Sequence, residues 1–349
     1  MTACLTHPEH GFYTGHAGRD PIGRSGDFVT APEISQIFGE LIGAWCIVAW
    51  EAMGRPEAFA LVELGPGRGT MLADALRAAR IHPEFLAAAR VHLVEASPAL
   101  RAVQERTLGG YHPAWLEDLG ELAPGPMLLL ANEFFDVLPV EQFVCRNHDW
   151  KRRVIVVDGS GALALSEAPE SLRLDSSLDD AAEGTIAEMS PAVQATAFDI
   201  GGRLRDHPGY ALVLDYGREG ALGESLQAVR GHRPEPPLAN PGEADLSAHV
   251  DFRALNRAAT LAGANVFGPV AQGEFLKALG AEARAEALGR AEPTRRAEIA
   301  LALARLTGAR AMGRLFQAVA IASPGLPVPP GFERANAGRG AALAPGSGG

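Results

Sequence analysis

Leu61-Val62-Glu63-Leu64-Gly65-Pro66-Gly67-Arg68-Gly69-Thr70 joins two kinds of periodicity. Phe59 to Leu64 is a short apolar run with one acid in it, the pattern of a strand buried in a parallel sheet. From Thr70 to Arg80 (TMLADALRAAR) apolar residues return at helical spacing, rich in Ala, Leu and Arg. Strand, glycine-rich turn and helix form the nucleotide-binding start of a doubly wound α/β sheet. Glycines there let the backbone turn sharply and approach a ligand with no Cβ in the way. Their spacing narrows the choice of nucleotide. A dinucleotide fingerprint requires Gly-x-Gly-x-x-Gly, whereas here the glycines stand at 65, 67 and 69, and Thr70 holds the place of the third fingerprint glycine. No Lys-Ser/Thr pair follows, which excludes a P-loop.

The next predicted strand, Val91-His92-Leu93-Val94-Glu95, ends in an acid, and Ser97-Pro98 opens another helix. A carboxylate at such a strand tip can accept both ribose hydroxyls of a nucleoside. An acid inside the strand followed by Gly-x-Gly-x-Gly resembles the first motif of S-adenosylmethionine (SAM) methyltransferases. In that superfamily the loop packs against the methionine part and ribose of SAM. A glycine loop alone is matched by any tight turn; the loop with Glu95 at the right distance is the more specific signal.

A chain of 349 residues can bury a large core, and 47% hydrophobic with 21% charged residues is ordinary for a globular protein. Its apolar runs are too short or too interrupted to span a bilayer, and the start, MTACLTHPEHGFY, has the pattern of neither a secretion signal nor a transit peptide. The three cysteines are widely spaced and the ten histidines scattered, so reduced thiols in a cytoplasm are expected, and no metal site. A net charge of −11 argues against general nucleic-acid binding and suits a cationic substrate. Arg greatly outnumbers Lys, and Ala, Gly and Pro abound, as in the product of a GC-rich bacterial genome.

Along the chain, residues 1–35 are rich in Gly, Pro and His but carry Phe12, Tyr13, Ile22, Phe28 and Val29, which predicts an ordered lid or loop rather than a free tail. The core is expected over 36–322, starting with a helix capped by Ser35. The strand Met127 to Ala131 runs into Asn132-Glu133-Phe134-Phe135-Asp136. By the switch-point rule, Gly65 to Gly69, Glu95, Asp118 and Asn132 to Asp136 gather around one crevice. Insertions are expected near 141–195, beginning with an antiparallel hairpin or meander over 141–167, and near 272–310, as two or three Ala-rich helices. Residues 218–250 read as loop, and 323–349 as a Pro/Gly-rich tail disordered over most of its length.

Several strings together resemble the MidA family of SAM-dependent methyltransferases: Gly26-Asp27-Phe28-Val29-Thr30-Ala31-Pro32-Glu33, the Glu63–Thr70 run, Asn132-Glu133-Phe134-Phe135-Asp136-Val137-Leu138-Pro139, Asp215-Tyr216-Gly217 and Gln272-Gly273-Glu274-Phe275-Leu276. The likeness spans about residues 4 to 322. That family is related to the mitochondrial complex I assembly factor that methylates arginine. The resemblance implies a seven-stranded, Rossmann-like SAM methyltransferase core with an antiparallel last strand, inserted hairpin and helical elements, and protein arginine methylation on a complex I subunit. It also implies that the N-terminal loop, through Phe28 and Thr30 among others, closes over SAM or the acceptor. Family members begin with one more helix before Cys4, so a misassigned or truncated start is expected.

An arginine acceptor begins as a cation, and carboxylates must hold it by paired hydrogen bonds, expose a nitrogen lone pair and help accept the released proton. Glu133 and Asp136, just past a core strand, are the candidates for that clamp, with Asn132 beside them; helix capping is the competing reading. Glu95 is the candidate for the ribose and Asp118 for the adenine amino group. Glu63 is placed to orient the glycine loop. The rivals are another acceptor, an assembly factor with the fold but little catalysis, and an NAD enzyme, against which the glycine spacing speaks. The oligomeric state stays open.

Overall fold

The computed structural model describes residues 1–15, 21–23 and 26–333; residues 16–20 and 24–25 of the expected lid and 334–349 of the expected tail lie outside the described residues. Fifteen strands occur among the described residues. They are β1 (Phe59–Leu64), β2 (Ala89–Val94), β3 (Ala114–Leu116), β4 (Met127–Asn132), β5 (Glu141–Arg146), β6 (Asp149–Val157), β7 (Leu163–Leu172), β8 (Ile186–Met189), β9 (Gly209–Arg218), β10 (Gln227–Arg230), β11 (Arg233–Glu235), β12 (Asp245–Ser247), β13 (Val250–Asp251), β14 (Asn265–Ala271) and β15 (Phe316–Ala322).

Seven of them form one continuous path in the order β14-β15-β9-β4-β1-β2-β3, with the short β13 added beside β9. Pairing is parallel throughout the β9-β4-β1-β2-β3 portion, and β15 runs antiparallel to both its neighbours. This is the expected sheet. Period-two alternation sorts its side chains onto two faces. Leu61, Leu128, Leu130, Leu212 and Leu214 join one buried cluster with the helix Gln36–Ala52 and the helices of 272–307. Val62, Met127, Leu129, Ala211 and Val213 join the other, with the helices Pro191–Asp206 and Phe252–Leu261. Because both faces are covered, the strands read as continuous apolar runs. The strand order reverses between β1 and β4, so a crevice opens at their carboxyl ends, after Leu64 and Asn132.

Two smaller sheets flank this core. The meander β7-β6-β5-β8 is the expected insertion, although β7 continues through Leu172 into a segment that reads as acidic loop. The sheet β11-β10-β12 was not expected, since residues 218–250 read as loop. It forms because the N-terminal segment packs on it: Leu5 and Phe12 are buried with Ala228, Ala244 and Leu246. The Tyr13 hydroxyl donates to Asp245 Oδ1 at 2.7 Å, and Gly231 N donates to Asp27 Oδ1 at 2.8 Å. Part of the expected tail is ordered. Residues 323–333 are packed rather than disordered, with Tyr210 OH donating to the Pro327 carbonyl at 3.0 Å and Phe332 wholly buried against Phe275.

Candidate active site

A cavity of about 1110 Å³ occupies the crevice, walled by the glycine loop, the ends of β2 and β4, and the N-terminal segment. Gly65, Gly67 and Gly69 take φ values of 58°, 54° and 78°, a region in which a side chain is strained. Gly65 N donates to the Val94 carbonyl at 2.9 Å, which ties the loop to β2. A Cβ on Gly67 would stand 2.7 Å from Ile22 Cδ1 of the lid. The lid is fastened to the loop as well: Thr70 Oγ1 donates to Glu33 Oε1 at 2.5 Å, and Arg68 approaches Glu33 Oε2 at 3.4 Å. Phe28 and Thr30 line the cavity, and the Thr30 hydroxyl makes no capping bond to the helix Ala31–Ile34.

Glu63, Glu95, Asp118, Asn132 and Glu133 all reach this cavity. Glu63 is buried, its Oε2 accepts no hydrogen bond, and burial, with Glu95 nearby, pushes its carboxyl up to about 8. Glu95 accepts from Ser97 N at 2.8 Å and from Gln104 Nε2 at 3.0 Å. Asp118 is exposed at the rim and caps a short turn, its Oδ1 accepting from Gly120 N at 2.6 Å. Glu133 holds a left-handed backbone, φ 53°, rare for a residue with a side chain and a mark of stored strain. Its Oε1 accepts from Ala31 N at 2.9 Å and from Asn132 Nδ2 at 3.2 Å, and burial raises its carboxyl to about 7.

Asp136 departs from the expected clamp. It does not line the cavity, and its buried Oδ1 accepts no hydrogen bond. The cause is Asp215, inside β9, whose Oδ2 gathers the amides of Phe134, Phe135 and Asp136 at 3.2, 2.8 and 3.3 Å. That wrapping turns the segment after β4 so that Glu133 faces the cavity and Asp136 the interior. Sequence reasoning gave Asp215 no chemical part; its position at the end of an apolar run was the available signal. Nearby, Asp251 caps the helix Phe252–Leu261, and His249 packs edge-on against Tyr216.

Five buried acids, Glu63, Glu95, Asp136, Asp215 and Asp245, thus stand with the partly buried Glu133, and among the described residues none of the six is ion-paired. Uncompensated carboxylates of this density fit a cationic ligand. They also make stability depend on pH. A carboxyl raised in the folded state adds stability that is complete below its ordinary range and is lost as pH rises through the raised value. For Glu63 that loss runs up to about pH 8. Thermal unfolding of the ligand-free protein should therefore show a lower midpoint at pH 9 than at pH 6. Glu63→Gln should recover on the order of 1–3 kcal/mol of the difference; an equal pH loss in the variant would show that Glu63 carries no such burden.

Comparison with known proteins agrees with this geometry. A family model described as S-adenosyl-L-methionine-dependent methyltransferase matches residues 41–270. The chain belongs to this family. Relatives include the protein arginine methyltransferase NDUFAF7 of mouse mitochondria, 37% identical over 82% of this chain and 71% of the relative. The human protein of the same name is 34% identical over 92% of this chain and 78% of its own. Among solved structures, a superfamily member from Burkholderia thailandensis bound to S-adenosyl-homocysteine superimposes with a TM-score of 0.81 at 26% identity, covering 96% of this chain and 89% of that one. The protein is thus a SAM-dependent methyltransferase with the family's fold. The residues present fit the cofactor: a glycine cradle that a Cβ would fill, and the orphaned Glu63 Oε2 on the cavity wall. Among the described residues no helix is long and apolar enough to cross a membrane, and no His/Cys/Asp/Glu group is suited to a metal.

Proposed function

We propose that the chain methylates the guanidinium of an arginine in a protein acceptor, with a subunit of respiratory complex I as the acceptor implied by the MidA resemblance. The observation that carries this reading is Glu133, a strained, partly buried carboxylate on the cavity wall among acids that form no ion pair among the described residues. Bound SAM supplies an electrophilic methyl group. Gly65 to Gly69 and Glu63 cradle its methionine part, Glu95 holds the ribose hydroxyls, and Asp118 at the rim meets the adenine edge. Ala31 N and Asn132 occupy Glu133 Oε1, leaving Oε2 for the acceptor. A guanidinium is a protonated cation with its nitrogen lone pairs delocalised and is no nucleophile as it stands, so Oε2 holds it and takes the proton that its nitrogen releases. A carboxyl raised to about 7 is matched to that work near neutral pH. Asp136 and Asp215 lie behind it, where burial and the neighbouring acids hold both carboxyls well above their ordinary range. The mouse and human relatives, named protein arginine methyltransferases, support the acceptor class. A bacterial cytoplasm as its place of work is part of the same reading, in keeping with the composition.

The test is transfer of a labelled methyl group from SAM to protein substrates of a cell extract, followed by mass spectrometry of the labelled residue. Methylarginine is the expected product. Label on lysine or on a carboxylate would replace the acceptor class while leaving the cofactor site intact. No transfer, with SAM bound, would favour an assembly factor.

A further inference from the structure

Gln104, on the helix Pro98–Leu108, is fully buried and lies behind the cavity wall. Its Nε2 donates both to the Gly67 carbonyl at 2.7 Å and to Glu95 Oε2 at 3.0 Å, while its Oε1 accepts from Trp115 Nε1 at 2.8 Å. Chemistry settles which way the amide points. An indole N–H can only donate, so the amide oxygen must face Trp115 and the nitrogen must face the loop and Glu95. Turned over, the side chain would set its oxygen against a carbonyl and a carboxylate, and its NH2 against the indole N–H. The Glu95 carboxylate is held at its other oxygen by Ser97 N at 2.8 Å. Each carboxylate oxygen therefore spends one acceptor site on the protein and keeps another for the cavity.

We propose that Gln104, oriented by Trp115, is a positioning residue that aims the Glu95 carboxylate at the cofactor ribose and pins the Gly67 carbonyl with the same NH2 group. The inference rests on the reading of Glu95 as the ribose ligand. Hydrogen bonds to a charged acceptor are the strong ones, and a carboxylate held at both oxygens loses little freedom when it grips two hydroxyls. Trp115 is part of the device although it touches neither group, because it decides the face that the amide presents.

Calorimetry with S-adenosyl-homocysteine and its 2′,3′-dideoxyribose analogue separates aiming from mere filling. The preference of the wild type for the intact ribose is expected to be about tenfold or more. Gln104→Met fills the same space and should cut that preference to within about twofold; Trp115→Phe, which removes the indole N–H with part of the ring, should lower it by about threefold. The ratio is the readout, since a loosened glycine loop weakens both ligands alike and leaves it unchanged. Thermal unfolding of each ligand-free variant checks that the fold is kept, and Trp115→Phe carries the test if the methionine variant does not fold. Glu95→Gln supplies the reference. A ratio collapsed in Glu95→Gln but intact in the other two overturns the part given to Gln104. A ratio intact in Glu95→Gln overturns the ribose reading itself, and the inference with it.

Discussion

Gly67→Val is expected to lower the affinity for S-adenosyl-homocysteine by more than about a hundredfold, about 2.8 kcal/mol or more. The protein should still fold. Two effects act at this position. The first is strain, because Gly67 sits at φ 54°, where a β-branched residue is a genuine outlier. That costs about 1–2 kcal/mol and is paid by the empty protein too, so it lowers the unfolding midpoint rather than the affinity. The second is space. The missing Cβ stands 2.7 Å from Ile22 Cδ1, the tip of a flexible side chain that can move aside in the empty protein. It can do so only by moving within the cavity wall, which Ile22 and Gly67 share. Binding should therefore suffer more than folding. Gly67→Ala keeps the strain and drops the branch, so it should bind about tenfold more weakly than wild type. Calorimetry with thermal unfolding measures both quantities, and wild-type affinity in the valine variant would remove the glycine loop from the cofactor site.

Glu133→Gln is expected to lower methyl transfer to an arginine acceptor by about 10²–10⁴, the range for loss of a general base. Affinity for S-adenosyl-homocysteine should stay within about twofold. The glutamine can keep the Ala31 amide as donor to its oxygen, so the lid contact survives; what disappears is the negative charge and the proton site. The sign of the pH effect follows from the raised carboxyl. Wild-type kcat/KM should rise as Glu133 ionises through about pH 7, and the variant should lose that limb of the profile. Asp136→Asn is the contrasting case, since its side chain does not line the cavity and one of its oxygens is buried without a hydrogen bond. It should retain most activity and gain stability at alkaline pH. Equal losses in the two variants would restore a two-carboxylate clamp and require Asp136 to turn outward in the acceptor complex.

The sheet was legible because its signals are local. Phe59–Leu64, Met127–Asn132 and Gly209–Arg218 are apolar runs long enough to show, and the glycines mark where the first of them turns. The switch-point rule then placed Glu95 and Glu133 on one cavity. Residues that act through distant partners were not legible. Gln104 reads as an ordinary polar residue of a helix until Gly67, Glu95 and Trp115 converge on it. Asp215 reads as the polar end of a strand until three amides from residues about eighty positions earlier close on its Oδ2. The strands β10, β11 and β12 have three or four residues each, too few to show a period of two, and β11 contains Pro234. Residues 323–333 have the composition of a tail, yet one of them, Phe332, plugs the core. Composition averages over a segment, whereas packing can hang on a single ring.

The N-terminal segment has a consequence for the order in which the molecule is finished. Tyr13 and its partner Asp245 are separated by 232 positions, and Asp27 and Gly231 by 204. A ribosome adding about 5–20 residues per second delivers the second member of each pair roughly 10–45 seconds after the first. Throughout that interval Phe12 and Leu5 lack Ala244 and Leu246, against which they are buried in the finished fold. Nascent chains halted before Ala244 would carry the complete glycine loop with Glu33 in reach of Thr70, but with Leu5 and Phe12 still lacking two of their partners. The cavity's glycines are made early, and the far end of its cover finds its seat only once Asp245 and Leu246 have been added.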